Sequence, residues 1–304
     1  MMVKRKIIID CDPGIDDALV IALALHSPQL EILGITTVAG NKELEKTSAN
    51  AIRTLEYFGR TDIAVYVGAG KPLVRDLNVP QESSHGKDGL GDAGLPGPKR
   101  QAKPNALGFM KDALKKYPGE VTILATGPLT NIALLLQDVD SSAIRELFIM
   151  NGAFKVRGNV TEFAEYNAFI DPEAARIVYS SGIPTKVVGL DVTNNVAVTR
   201  EEFVMMKQID TPQAHFFTMT HDWATTRKQK ERYAIFWDPL ALMWMLVPTM
   251  IHGQMGKIEV EAVGEKTGQT TFSSGPGSVY VGETVNAAQF FDHLHKFLKF
   301  GEVV

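Results

Sequence analysis

The sequence predicts an α/β protein: a single-domain, Rossmann-like open sheet, mostly parallel, with helices on both faces. Two observations predict it. Short Ile/Val-rich runs, apolar at every position, alternate with amphipathic helical patterns, which is the signature of parallel strands buried on both sides. The polar and Gly-containing motifs fall where these apolar runs end, as expected of loops at the carboxyl ends of strands. A chain of 304 residues with 45% apolar content can bury one large core.

Taken in order, the pattern gives a strand over 6–10, a helix over 16–26, a strand over 32–38, a helix over 43–58 and a strand over 63–67. The rhythm then breaks from Gly70 to Asn105, where "SSHGKDGLGDAGLPGP" is rich in Gly and Pro. A structureless insertion of this length reads as an active-site lid, placed at 70–105. The alternation resumes with a strand over 121–125, a helix over 129–137, a strand over 146–150, a helix over 172–181 and a strand over 185–190. Helical patterns dominate from Arg200 to Val247. From Ile258, "IEVEAVGE", "GQTTFSS" and "SVYVGE" read as short strands before a last helix over 286–299. No repeat or linker divides residues 1–304, so one domain is expected.

The charge balance excludes some functions. Net charge is −4 and the few basic clusters, such as Lys228 to Arg232, are short, so nucleic acid is not an expected partner. The single cysteine, Cys11, rules out an intrachain disulfide framework and points to a reducing compartment, the cytoplasm. The opening "MMVKRKIII" is apolar for three residues before Asp10, too short for a signal-peptide core, and no apolar run approaches a membrane span.

The chemistry concentrates at strand ends. Asp10 and Asp12 follow the first strand, Asn41 in "TTVAGN" the second, Thr126 in "ILATGPLTN" another, and Asn151 the strand ending "ELFIM"; all should line one edge of the sheet. Asp10, Asp12, Asp16 and Asp17 crowd "DCDPGIDD", where Pro13 and Gly14 force a turn that lets loop and helix carboxylates converge. Acids in a first helical turn gain from the helix dipole, which would account for Asp16 or Asp17 singly. Four together repel unless a cation neutralises them, and oxygen ligands without neighbouring His or Cys suit Ca²⁺ or Mg²⁺. "IIIDCD" also resembles the aspartate-x-aspartate nucleophile loop of haloacid-dehalogenase-type phosphatases, whose first aspartate attacks phosphorus with the help of Mg²⁺.

The longer register decides between these readings. "DCDPGIDDALVIALAL", "TTVAGN", "HGKDG", "TGPLTNIALLL", "AEYNAFIDPEAARIVYSSG", "GLDVT" and "WDPLAL", in this order and spacing, resemble the nucleoside hydrolases of the inosine-uridine preferring family. The resemblance runs from about Lys6 to the last helix. It implies a Ca²⁺-dependent enzyme that splits ribonucleosides into ribose and free base in salvage, assembled as a homodimer or homotetramer. By the same resemblance the metal ligands would be Asp12, Asp17, the carbonyl of Thr126 and Asp238, with Asp10 behind them and Asp12 also the general base for a metal-activated water. Asp16 and Asn41 would hold the 2′ and 3′ hydroxyls, Asn159, Glu165 and Met150 the 5′ end, and Asn167 would lie near the ring. His85 matches a family histidine near the sugar and base. Arg232 and Tyr233, in "KERYAIFWDP", match a pair near the base pocket.

Trp237 departs from many members, which carry there a histidine that protonates the leaving base. A tryptophan at this place resembles the purine-specific branch, in which aromatic stacking makes the base more basic. The expected substrates are therefore purine ribonucleosides, with pyrimidine ribonucleosides left open. A dehalogenase-type phosphatase and a nucleoside binder without catalysis are the remaining alternatives, and the retained metal-ligand positions argue against the binder.

Overall fold

The computed structural model describes residues 3–79, 84–222 and 233–304. Its first half follows the alternation: β1 (Arg5–Cys11), α1 (Ile15–Leu25), β2 (Leu30–Thr37), α2 (Leu44–Tyr57) and β3 (Val65–Val67). Then come α3 (Ala106–Lys116), β4 (Val121–Ala125), α4 (Thr130–Leu135), β5 (Ile144–Met150), α5 (Tyr166–Ile170), α6 (Pro172–Tyr179) and β6 (Thr185–Val188). The remainder holds α7 (Leu190–Thr193), β7 (Ala197–Val198), α8 (Arg200–Met206), α9 (Pro212–His221), β8 (Ala234–Ile235), α10 (Asp238–Leu246), β9 (Ile251–Val260), β10 (Thr270–Ser274), β11 (Val279–Val285) and α11 (Ala287–Phe300).

One nine-stranded sheet has the order β10-β9-β11-β6-β5-β4-β1-β2-β3. It is parallel from β3 to β11, and β9 pairs antiparallel with both β11 and β10. The chain runs outward from β1 to β3, then returns to lay β4 on the other side of β1. That reversal makes the β1/β4 boundary a topological switch point, where the loops beyond two neighbouring strands diverge and leave a crevice.

Period-two alternation explains the two-sided core. Ile7, Ile9 and Cys11 of β1, Leu124 of β4, and Phe148 and Met150 of β5 face one layer, with α1, α2, α9, α10 and α11. Ile8, Ile123, Leu147 and Ile149 face the other, with α3, α4 and α6. Helix α1 has no polar face beyond its first turn because it is enclosed, packing on α2, α9 and α10 as well as the sheet.

The structure corrects several boundaries. Strand β9 begins at Ile251, not near 258, and ends at Val260. Its first half, "IHGQMGK", carries Gly253 and Gly256, where a Cβ would lie 1.8 Å from Val281 O and 2.2 Å from Ser273 O respectively. Close backbone approach, which demands glycine there, removes the β-branched pattern that would betray a strand. Helix α3 and the β7–β8 ribbon also went unanticipated, and the strand expected over 185–190 stops at Val188, with α7 starting at Leu190.

The segment from 84 to 105 contains no helix or strand beyond an isolated bridge between Tyr66 and Lys103. Arg53 of α2 fastens it, donating to Asp88 Oδ2 (3.2 Å), Leu95 O (2.6 Å) and Pro96 O (3.1 Å). Asn50, one helical turn earlier, donates to both Pro13 O and Asp88 O, tying the segment to the turn after β1.

Candidate metal and ribose site

The switch point assembles the predicted residues. Asp12 follows β1, Asn41 follows β2, Thr126 follows β4, and Asn151 follows β5, so four neighbouring parallel strands deliver their polar ends to one edge. Asp16 and Asp17 enter from the first turn of α1, and Asp238 opens α10.

Asp17 is held from three sides. Its Oδ2 accepts from Gly14 N (3.0 Å) and Asn41 Nδ2 (3.2 Å), and its Oδ1 accepts from Thr126 Oγ1 (2.7 Å). Asp12 Oδ2 accepts from Asn41 N at 2.6 Å, and its main-chain carbonyl accepts from Asn41 Nδ2. Asp12 Oδ1 is buried with no partner, as is Asp16 Oδ1. Among the described residues, the acidic group whose oxygens converge within 4.8 Å comprises Asp16, Asp17 and Asp238. Asp16, one of the four crowded acids and the expected ribose contact, thus converges with Asp17 and Asp238, whereas Asp12, expected as a ligand, is not in that group.

Burial governs the proton affinities. It pushes Asp12 and Asp238 well above the usual carboxylate range, with the neighbouring carboxylates adding to the effect, and raises Asp17 as well, against hydrogen bonds that oppose it. Asp16 is pushed up to about 7 by burial and then by Asp17. Asp10, wholly buried, rises to about 6 despite accepting from Thr36 Oγ1 (2.5 Å) and Asn131 Nδ2 (2.8 Å). These two bonds tie it to β2 and to α4.

This donor set fits a hard divalent cation. It is all oxygen, it carries more negative charge than its burial tolerates, and its buried carboxylate oxygens at Asp12 and Asp16 lack partners. Glycines shape the cradle: a Cβ at Gly40 would lie 2.2 Å from Asp12 Oδ2, and one at Gly127 would lie 2.7 Å from Asp12 Oδ1.

A second layer comes from the loop before α5. Asn167 Nδ2 donates to the Thr126 carbonyl (2.8 Å) and to Met150 O (3.2 Å), so Asn167, Thr126 and Met150 form one contiguous wall. Glu165 caps α5, accepting from Asn167 N, Ala168 N and Gly152 N. Asn159 is exposed, and its side chain accepts from Tyr166 N at 2.9 Å. His85 sits over the start of α1: its Nδ1 accepts from Ile15 N at 3.0 Å and stands 3.7 Å from Asp16 Oδ1. Acceptance at Nδ1 places the ring proton on Nε2.

The base-side residues are less gathered. Trp237, directly before Asp238, is half-buried against the core and keeps a buried Nε1–H without a partner. Tyr233 packs its ring on Phe203 at 4.7 Å, and its amide donates to Val198 O. Arg232 lies outside the described residues. Two residues not singled out from the sequence belong to the assembly: Asn131, which supports Asp10, and Tyr166, whose hydroxyl donates to Gly40 O at 2.8 Å.

Comparison with known proteins shows what the chain is similar to. The family model described as inosine-uridine preferring nucleoside hydrolase matches residues 7–292. The pyrimidine-specific ribonucleoside hydrolase RihA of Shewanella woodyi is 39% identical over 301 residues, covering 95% of this chain and 93% of that protein. Uridine nucleosidase 1 of Arabidopsis thaliana is 36% identical, covering 89% and 82%. Among solved structures, a purine-preferring ribonucleoside hydrolase from Gardnerella vaginalis superposes with a TM-score of 0.89 at 31% identity, covering 97% of each chain.

Proposed function

The chain belongs to the inosine-uridine preferring nucleoside hydrolase family, enzymes that act on N-glycosyl bonds, and from that premise we propose that it hydrolyses purine and pyrimidine ribonucleosides to ribose and free base with a bound Ca²⁺. The observation that carries the reading is the pair of buried, partnerless oxygens, Asp12 Oδ1 and Asp16 Oδ1, beside the convergent Asp17 and Asp238. Asp12, Asp17, Asp238 and the Thr126 carbonyl would hold the cation, leaving Asp16 Oδ1 for the ribose. Bound there, Ca²⁺ supplies the charge that holds a water and lowers its pKa.

Each side chain then has a task. Asp12 takes the water's proton on Oδ1, since Oδ2 is already engaged by the Asn41 amide. The hydroxide oxygen bonds to C1′ as the C1′–N bond breaks, and the base departs with a proton drawn from solvent. Positive charge develops on the ribosyl ring in between, and the buried carboxylates stabilise it. Asp16 and Asn41 anchor the 2′ and 3′ hydroxyls, Asn159, Glu165 and Met150 the 5′ end, and Asn167 lies against the ring. His85 donates from Nε2 to the sugar or base.

Breadth of base is supported by relatives whose names point both ways, pyrimidine-specific in one curated protein, uridine nucleosidase in another and purine-preferring in a solved structure. The Trp237 ring can stack on either class of base, and its free N–H can donate to a carbonyl oxygen that uracil and hypoxanthine both carry. The test is ribose release from inosine, guanosine, adenosine, uridine and cytidine, with and without chelator. Chelator-sensitive release from uridine and inosine is expected. Nucleoside binding without release from any of the five would convert the reading to that of a binder.

A further inference from the structure

We propose that Tyr166 is a positioning residue: through its hydroxyl it fixes the Gly40–Asn41 turn, and through that turn the orientation of the Asp12 carboxylate. The proposal rests on the function proposed above only for the meaning of Asp12.

The chain of contacts is short and directional. Tyr166 Oη donates to Gly40 O at 2.8 Å, a bond between residues 126 apart in sequence. Gly40 is followed by Asn41, which alone makes three hydrogen bonds to the acidic cluster: N to Asp12 Oδ2 (2.6 Å), and Nδ2 to Asp12 O and to Asp17 Oδ2 (3.2 Å each). The turn presses directly on the carboxylate, because a Cβ at Gly40 would fall 2.2 Å from Asp12 Oδ2. Any shift of the Gly40 carbonyl therefore carries the Asn41 amide, and with it the oxygen of Asp12 that is engaged, leaving the free Oδ1 differently aimed.

The other end of the strut is equally fixed. Tyr166 opens α5, its amide held by Asn159 Oδ1 at 2.9 Å, between Glu165 and Asn167, which are themselves bound to Gly152 N and to the Thr126 carbonyl. The phenol thus links the wall made by β4, β5 and α5 to the turn after β2. The phenol is half-buried and donates its hydroxyl proton to a backbone carbonyl, so it acts as a fixed donor.

Tyr166→Phe removes the hydroxyl and keeps the ring. Tyr57→Phe is the control, since Tyr57 Oη likewise donates to a carbonyl, Pro212 O at 3.0 Å, but away from the site. Both variants are compared with wild type in kcat and KM for ribose release from uridine and inosine, in Ca²⁺ affinity of the chelator-stripped protein by calorimetry, and in melting temperature. The expected result for Tyr166→Phe is a fall in kcat of about three- to tenfold with KM little changed, and Ca²⁺ binding weakened by a similar factor. Its melting temperature should match that of Tyr57→Phe, which leaves kcat and Ca²⁺ affinity at wild-type values. A fall in kcat alone also sustains the proposal. Wild-type kcat together with wild-type Ca²⁺ affinity in Tyr166→Phe overturns it, and so does a rise in KM alone, which would make the hydroxyl a substrate contact. If the wild-type protein releases no ribose, the function fails, and the calorimetry still decides on Tyr166: weaker Ca²⁺ binding sustains the strut, and unchanged or absent binding overturns it.

Discussion

At the scale of single residues, the cluster divides into atoms that are engaged and atoms that are left free. Asp12 spends Oδ2 on a backbone amide and keeps Oδ1 buried and partnerless, an arrangement that costs stability unless a ligand completes it. Gly40 is the most sensitive neighbour because there is no room beside that carboxylate for even a methyl group. Gly40→Ala is therefore expected to lower kcat for ribose release by at least about tenfold, as a reacting group displaced by a fraction of an ångström would. Its circular dichroism spectrum should remain that of wild type. Unchanged kcat would mean that Asp12 tolerates reorientation and is not the base.

At the scale of elements, the helices that carry the site are fastened by side chains that touch none of the substrate. Asp171, fully buried, caps α6 by accepting from Ala174 N (3.0 Å) and also accepts from Thr130 Oγ1 at the start of α4 and from Leu73 N. Asp171→Ala strips a cap and leaves buried donors unsatisfied, so a loss of about 2–4 kcal/mol in urea unfolding is expected. A loss below about 0.5 kcal/mol, the range of ordinary surface changes, would show that these contacts do not hold α4 to α6. Elements also set what could be read in advance. The strand β1 and helix α1 were legible because every residue of "IIIDC" is buried and the period is plain. Helix α3 was not, since it stands immediately after the Gly- and Pro-rich stretch, and β9 was hidden by its glycines. The clustered acids were legible because like charges packed in one turn need a physical reason. The Tyr166–Gly40 bond was not, because nothing local in "AEYN" reports a partner 126 residues away.

For the whole molecule, a buried acidic cluster makes stability depend jointly on pH and cation. Asp10 and Asp16 have folded pKa values of about 6 and about 7, above the ordinary 3.8, so without a cation their contribution to stability is present below that ordinary value and is lost as pH rises through 6 and 7. A bound cation favours the ionised carboxylates and reverses this loss. The rise in melting temperature caused by Ca²⁺, relative to chelator, should therefore grow from about pH 5 to about pH 8, reaching several degrees at saturating cation. A Ca²⁺ effect that is flat across this range would place the cation elsewhere. The same switch-point logic explains why the site's location could be inferred from strand ends alone, while the base-side residues Tyr233 and Trp237, which pack on the core from beyond the sheet, could not be ordered that way.

The most direct measurement of the central claim is ribose release from uridine and inosine by Asp12→Asn at saturating Ca²⁺, beside the wild-type protein. The substitution keeps size and shape and removes the carboxylate proposed to receive the water's proton. Loss of kcat by at least about a hundredfold, with the variant folded by its melting curve, is the predicted result. Release within a few-fold of wild type would contradict the assignment of this aspartate, and with it the mechanism built on the switch-point acids.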